Sequence, residues 1–186
     1  MTKKRGVGFT VVELMVTIVV LVILTTLVTV RLKSTQAGGR DQERDIDSTT
    51  IATGLEVYYD NGNVTTYTPK GYYPGATELN AAAALSPPFK EFLDGVSAAS
   101  LTAPDRTIND SFGIDPNYAS AAVGANTDGS YSDAQVRPLL VHFPYLYQPL
   151  RRDNAFCVNY IDCVKFNLYY LKESTDEVVK IRSKNQ

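Results

Sequence analysis

A long apolar segment near the N-terminus constrains the fold of this 186-residue chain more than any other feature. The segment runs from Phe9 to Val30 and has roughly the 20 residues that a helix needs to cross the core of a bilayer. Glu13, close to its beginning, is its only charged residue. A carboxylate in such a segment is disfavoured by up to about 3 kcal/mol, and by less near the interface. We therefore expect Glu13 to have a partner and a function.

A short basic leader before the apolar segment suggests what that partner is. Its three basic residues occupy positions 3–5, and the leader ends at Gly8. Cleavage after Gly8 would create a new amino group on Phe9, one helical turn from the Glu13 side chain of the same or a neighbouring chain. Opposite charges attract more strongly in a low dielectric than in water. Because pairing only partly offsets desolvation, we expect this contact to select a register rather than to add net stability.

This junction resembles the type IV pilin family, which includes the pseudopilins of type II secretion. The family signature is a basic leader ending in Gly, then Phe-Thr, two hydrophobic residues and Glu opening a long apolar helix. Residues 8–13 read Gly-Phe-Thr-Val-Val-Glu, and the strong resemblance covers about residues 3–30. It implies cleavage between Gly8 and Phe9 by a prepilin peptidase and N-methylation of Phe9. It also implies that Glu13 sets the subunit register in a helical filament.

The resemblance implies a fold and an organisation as well. The expected class is α+β, with a long N-terminal helix, transmembrane in its first half, packed against a C-terminal antiparallel β-sheet. The expected parts are a leader (1–8), a transmembrane or filament-core helix (9–30), its continuation (31–61) and a globular pilin domain (62–186).

The implied partners are further copies and other pilins, the prepilin peptidase, and a membrane assembly platform with its ATPase. The chain itself has no phosphate-binding loop of the Walker type. The implied location is the cytoplasmic membrane, with the C-terminal domain outside, and later the pilus at the cell surface.

The apolar helix departs from the family pattern at two places. Many members have Gly in the middle of this helix and Pro near its end, where this chain has Val22 and Val30. Thr25, Thr26 and Thr29 are β-branched, and their hydroxyls can compete for backbone carbonyls.

Two alternatives compete for the N-terminal segment. A secretory signal peptide requires a shorter apolar region and a small-residue cleavage site, which residues 35–37 provide poorly. An uncleaved membrane anchor fits the length but leaves Glu13 unexplained.

Charge argues against general nucleic-acid binding, although it leaves local basic patches and DNA contacts open. The formal net charge is −2, and loss of the three basic leader residues would make it −5. Proteins that bind nucleic acids usually have a basic footprint.

Cys157 and Cys163 are the only cysteines. In an exported chain, two close cysteines favour a disulfide, which would contribute about 2–2.5 kcal/mol for so short a loop. Reduced core thiols and a metal site are the alternatives, and the metal site lacks nearby His or Cys partners.

The remaining sequence predicts the elements of an α+β domain. A stripe from Ile46 to Tyr58 extends the first helix to about residue 61, with Gly38-Gly39 as a predicted bend or weak point. Alanines predict a short helix over 77–85, and residues 100–134 read as loops. Alternating apolar residues predict three strands in an antiparallel meander, at 136–147, 164–171 and 177–182.

Two further sites were candidates for chemistry. The single histidine, His142, lies on a predicted strand, and no nucleophile-elbow motif supports catalysis, so we expect no enzyme. Oxygen-bearing side chains at nearly alternating positions give a weak calcium candidate, for which an ordinary solvated turn is the favoured alternative. Its residues are Asn126, Asp128, Ser130 and Asp133.

The sequence therefore favours a prepilin, a structural subunit of a type IV pilus or related pseudopilus. The alternatives are a pseudopilin of a secretion or DNA-uptake system and an uncleaved membrane-anchored binding protein.

Overall fold

The computed structural model describes residues 10–84, 89, 92–105, 112–114 and 126–185. It divides the chain into two compact units, Met1–Gly39 and Arg40–Gln186. The division follows directly after the Gly38-Gly39 pair. Residues 40–61 therefore belong to the globular unit.

Helix α1 extends from Val11 to Asn61 and remains helical through Gly38 and Gly39. It ends as the Asp-Asn-Gly-Asn sequence at 60–63 predicts. Gly62 adopts a φ of +71°, a conformation that glycine reaches without strain. The Gly62 N–H donates to the Tyr58 carbonyl at 2.8 Å, which closes the last turn of the helix.

Among the described residues, the sheet has four strands, β1 (Gly113–Ile114), β2 (Leu146–Leu150), β3 (Lys165–Leu171) and β4 (Val178–Arg182). Their order in the sheet is β1-β2-β3-β4. Strand β3 pairs antiparallel with β2 and with β4, whereas β1 and β2 pair parallel. The expected all-antiparallel sheet is thus corrected to a mixed one. The parallel pair is possible because a long connection separates β1 from β2.

The predicted strand over 136–147 is wrong over most of its length, because a helix occupies its first half; only Leu146 and Tyr147 lie in a strand, β2. Helix α3 runs from Asp133 to Leu140 and begins with a capping box, in which the Ser132 N–H donates to Gln135 Oε1 at 2.9 Å. Val136 and Leu140, four residues apart, are buried. The four-residue spacing of these buried residues places both on one face of a helix, whereas the alternation of apolar residues had predicted a strand.

Helix α2, Ala76–Ala83, confirms the predicted short helix. Its capping box joins the Gly75 N–H to Glu78 Oε2 at 2.9 Å. A Cβ at position 75 would lie 2.4 Å from the Val158 carbonyl oxygen, so only glycine allows this approach. The Thr77 N–H also donates to that carbonyl at 3.0 Å. Helix α2 is therefore fastened to the loop that contains the cysteines.

Two hydrophobic clusters cover the sheet. The larger one includes Ile51 and Leu55 of helix α1 and the strand residues Tyr147, Phe166 and Leu168. The smaller one contains Tyr131, Val136, Leu140, Leu146 and Tyr169. Neighbouring strand residues such as Leu146 and Tyr147 belong to different clusters, as the two-residue period of a strand requires. All five residues of β2 are buried for this reason.

Candidate functional site

Glu13 lies in a capping box at the start of helix α1. Its Oε2 accepts hydrogen bonds from the Thr10 backbone N–H and the Thr10 hydroxyl, both at 2.9 Å. The Glu13 N–H donates in return to Thr10 Oγ1 at 3.2 Å. This Thr-x-x-Glu pattern satisfies N–H groups that a helix end leaves unpaired. This spacing is readable in the sequence, although the capping box was not among the predicted features.

The helix surface after Glu13 is apolar and uncovered. None of the 18 residues from Val11 to Val28 is buried, and the helix is long and apolar enough to cross a membrane. At 1.5 Å per residue this stretch is about 27 Å long, close to the ~30 Å core of a bilayer. Even its most shielded large apolar residue, Val20, is 48% exposed. An exposed apolar surface of this size marks an interaction with a membrane or another apolar surface, or a signal sequence.

The threonines of this stretch are accommodated within the helix. The Thr25 hydroxyl donates to the Leu21 carbonyl at 2.7 Å, and the Thr17 hydroxyl to the Leu14 carbonyl at 2.8 Å. The predicted contact of threonine hydroxyls with backbone carbonyls is therefore confirmed here. The Thr29 side chain lies outside the described residues, as do Gly8 and Phe9, the two residues of the predicted processing site.

In the globular unit, Asp41 of helix α1 fixes the turn between β3 and β4. Its carboxylate accepts hydrogen bonds from the backbone N–H groups of Glu173 and Ser174, at 2.7 and 2.8 Å. Arg44 donates to it at 3.1 Å and also contacts Asp105 at 2.8 Å. Burial opposes ionisation of Asp41, but the Ser174 and Glu173 hydrogen bonds and the Arg44 charge outweigh it and lower its pKa.

The weak calcium candidate is an ion-paired loop in the structure. Asp128 accepts hydrogen bonds from the Ser130 hydroxyl at 2.6 Å and the Ser130 N–H at 3.0 Å. These bonds, assisted by Lys180 and Arg182, lower the pKa of Asp128 to about 2. Arg182 contacts its Oδ2 at 2.5 Å and Lys180 the same atom at 3.5 Å.

The residues of this loop do not fit calcium, because two cationic side chains already contact the Asp128 carboxylate. Asn126 turns its amide nitrogen, a donor, towards Ser130 Oγ at 3.0 Å. The Asp133 side chain is 70% exposed and pairs with Arg137 instead. Within the part of the chain that the structure describes, no group of three or more His, Cys, Asp or Glu could hold a metal.

Cys157 and Cys163 form a disulfide, with Cα atoms 5.5 Å apart. This confirms the favoured interpretation over free thiols or a metal site. The loop they close is held from outside as well, since the Tyr73 N–H donates to the Cys163 carbonyl at 2.8 Å. The Cys157 N–H donates to the Pro149 carbonyl at 3.1 Å. The bridge therefore fixes the segment between β2 and β3.

His142 does not lie on a strand. It follows helix α3 in a turn, where it is exposed and its backbone N–H donates to the Leu139 carbonyl at 2.9 Å. Because residues 133–140 form helix α3, His142 lies in the turn after this helix and not in the strand that the sequence predicted.

The fold and site define an α+β protein with one apolar N-terminal helix and a four-stranded mixed sheet. By its length and composition this helix can anchor a chain in a membrane or form part of a signal sequence. Comparison with protein-family models, curated proteins and solved structures found no match to this chain.

Proposed function

We propose that this protein is a prepilin, the precursor of a structural subunit in a type IV pilus or a related pseudopilus. One observation carries the proposal: a carboxylate, Glu13, lies at the start of an apolar helix whose surface is uncovered from Val11 to Val28. The basic leader before Phe9 supports it. The protein is held in the cytoplasmic membrane by this helix until a prepilin peptidase cleaves between Gly8 and Phe9.

Assembly moves the apolar helix from lipid into a bundle of identical helices. Burial against neighbouring helices then replaces burial in lipid, so hydrophobicity alone selects no particular stagger. A charge pair between Glu13 of one subunit and the Phe9 amine of its neighbour supplies that selection, because an unpaired charge in the bundle is costly. The force for assembly comes from a membrane platform with its ATPase.

The capping box gives Glu13 a second, purely local role, and two variants separate the roles. Glu13→Gln keeps the cap, because glutamine also accepts the N-cap N–H, but it removes the charge. Thr10→Ala weakens the cap and keeps the charge. Filament incorporation, measured by immunoblotting of sheared surface appendages, should fail for Glu13→Gln and persist for Thr10→Ala. The opposite pattern would refute the proposed register role.

Processing provides an independent test. Intact mass analysis of the protein purified from both the cells and the culture medium should show a chain that begins at methylated Phe9. A chain that still begins at Met1 would favour the uncleaved membrane-anchored binding protein. A chain cut beyond residue 30 would instead identify the helix as an ordinary signal sequence.

A further inference from the structure

A surface cavity of about 470 Å³ lies beside the disulfide loop of the globular unit. One wall is the turn that follows β2, and the other is the loop closed by Cys157 and Cys163. Its lining combines two arginines, two aspartates, an aromatic ring and two aliphatic side chains. These residues are Arg151, Arg152, Asp153, Asp162, Tyr72, Ile161 and Val164.

The turn that forms the first wall is fixed by several contacts. The Arg151 N–H donates to the Ala155 carbonyl at 2.8 Å, and the Asn154 N–H to the Arg151 carbonyl at 3.0 Å. Lys165 Nζ holds the Asn154 side chain at 2.9 Å. Asn154 has a φ of +67°, a left-handed conformation that asparagine tolerates in turns better than most residues do.

The second wall is fixed as well. The disulfide closes the loop, and the Thr77 N–H donates to the Val158 carbonyl inside it at 3.0 Å. Ile161 and Asp162 belong to this loop and are exposed. Rigid walls allow a ligand to bind without first ordering the site, which is how preorganisation raises affinity.

The charges that line the cavity are balanced, with two arginines and two aspartates. Arg151 and Asp162 form an ion pair at 3.4 Å, and Asp153 Oδ1 accepts the Ala155 N–H at 3.1 Å. Among the described residues, no acidic side chain forms an ion pair with Arg152. Lys165 adds a third cation at the base of the turn. The region is thus slightly positive in a chain whose formal net charge is negative.

This combination suits a ligand that carries both hydroxyl groups and a single carboxylate. A polyanion such as a nucleic acid favours a basic surface, whereas two aspartates face this cavity. Sugar hydroxyls both donate and accept hydrogen bonds, so they suit alternating guanidinium and carboxylate groups. The Tyr72 ring, packed edge-to-face against Tyr160 at 6.1 Å, offers an apolar surface with a polar tip. The guanidinium of Arg152, for which the described residues supply no ion-pair partner, suits a single carboxylate, which arginine binds through two parallel hydrogen bonds.

We propose that this cavity binds a carboxylate-bearing sugar, such as a uronic or sialic acid residue of a glycan. Arg152 binds the carboxylate, the Arg151–Asp162 pair binds hydroxyl groups, and Tyr72 contacts the sugar ring. The proposal does not depend on cleavage or on filament formation. It assigns a recognition surface to the segment between β2 and β3.

The test uses the full chain in detergent micelles and isothermal titration calorimetry. The probes are oligosaccharides ending in glucuronic, galacturonic or sialic acid, each compared with its methyl ester. The matched variants are Arg152→Gln and Arg137→Gln, the latter removing an exposed guanidinium that does not line the cavity. Near-ultraviolet circular dichroism checks that both variants keep the native tyrosine environment.

We expect at least one acid to bind more tightly than its ester. Arg152→Gln should weaken this binding by about tenfold to a hundredfold, as expected for loss of a hydrogen bond to a charged group. Arg137→Gln should bind like the original chain. Three results would overturn the proposal: no binding of any acid at millimolar concentration, equal binding of acid and ester, or an Arg152→Gln variant that binds normally.

Discussion

The contact between Asp41 and the β3–β4 turn allows a quantitative prediction of how much Asp41 adds to the free energy of unfolding. Asp41 is only 5% exposed, and its carboxylate accepts two backbone N–H groups from Glu173 and Ser174. Hydrogen bonds to charged groups contribute about 1.5–3 kcal/mol each. Arg44 would keep Asp105 and Glu173 as partners, so its charge is not stranded. Because the turn is exposed, water can reach the released N–H groups.

We therefore expect Asp41→Ala to lower the free energy of unfolding by about 3 kcal/mol, near the lower limit for two such bonds. The assay is urea unfolding of the globular unit in the full chain, held in detergent micelles and followed by near-ultraviolet circular dichroism of the tyrosines. Asp60→Ala, at an exposed residue at the end of helix α1, is the control and should change stability by less than about 0.5 kcal/mol. A loss below about 1 kcal/mol for Asp41→Ala would refute the reasoning.

Two further substitutions test other parts of the fold. Asp128→Asn should cost about 0.5–1 kcal/mol, since its ion pairs are partly exposed. The folded pKa of Asp128 is about 2, below its unfolded value, so this contribution is present at neutral pH and is lost as pH falls towards 2. Equal acid sensitivity of Asp128→Asn and the original chain in urea titrations would contradict it. Gly75→Ala should destabilise the globular unit by about 2 kcal/mol or more, because its Cβ would meet the Val158 carbonyl at 2.4 Å. Gly39→Ala, with no atom within 4 Å of the added Cβ, is its control in thermal unfolding and should be neutral or stabilising.

Elements with one dominant local signal were predictable from the sequence. Helix α1 follows from its apolar run and its Asp-Asn-Gly-Asn end, and α2 from its alanines. Strands β3 and β4 follow from clear alternation and the turn at 174–176. Helix α3 was missed because its short apolar pattern also fits a strand, and only the Ser132–Gln135 cap distinguishes the two. Strand β1 has two residues, too few for any period to be read.

Contacts between distant residues could not be predicted in this way. Arg40 binds Glu173 across 133 residues at 2.7 Å, and Asp128 binds Arg182 across 54. Periodicity identifies which face of an element is buried, but it does not identify which charged residues meet at the edges of that face. The oxygen-rich sequence at 126–133 therefore suggested a cation ligand set. Its cations come instead from β4, about 50 residues further along the chain.

The capping box alone does not explain why residue 13 carries a charge. Glutamine would cap Thr10 equally well without bringing a charge into an apolar helix. The helix dipole favours a carboxylate in this first turn by about 0.3–1 kcal/mol, whereas a charge in a membrane segment costs up to about 3 kcal/mol. Near the membrane interface the insertion cost is smaller, so the gain from the helix dipole nearly balances it and the carboxylate is tolerated. In a helix bundle that excludes water, the cost of burying the carboxylate rises, and the helix dipole does not offset it. If the chain assembles as we propose, a counter-ion such as the amine of a cleaved Phe9 would be needed there, and its position along the helix would limit where the next subunit can lie.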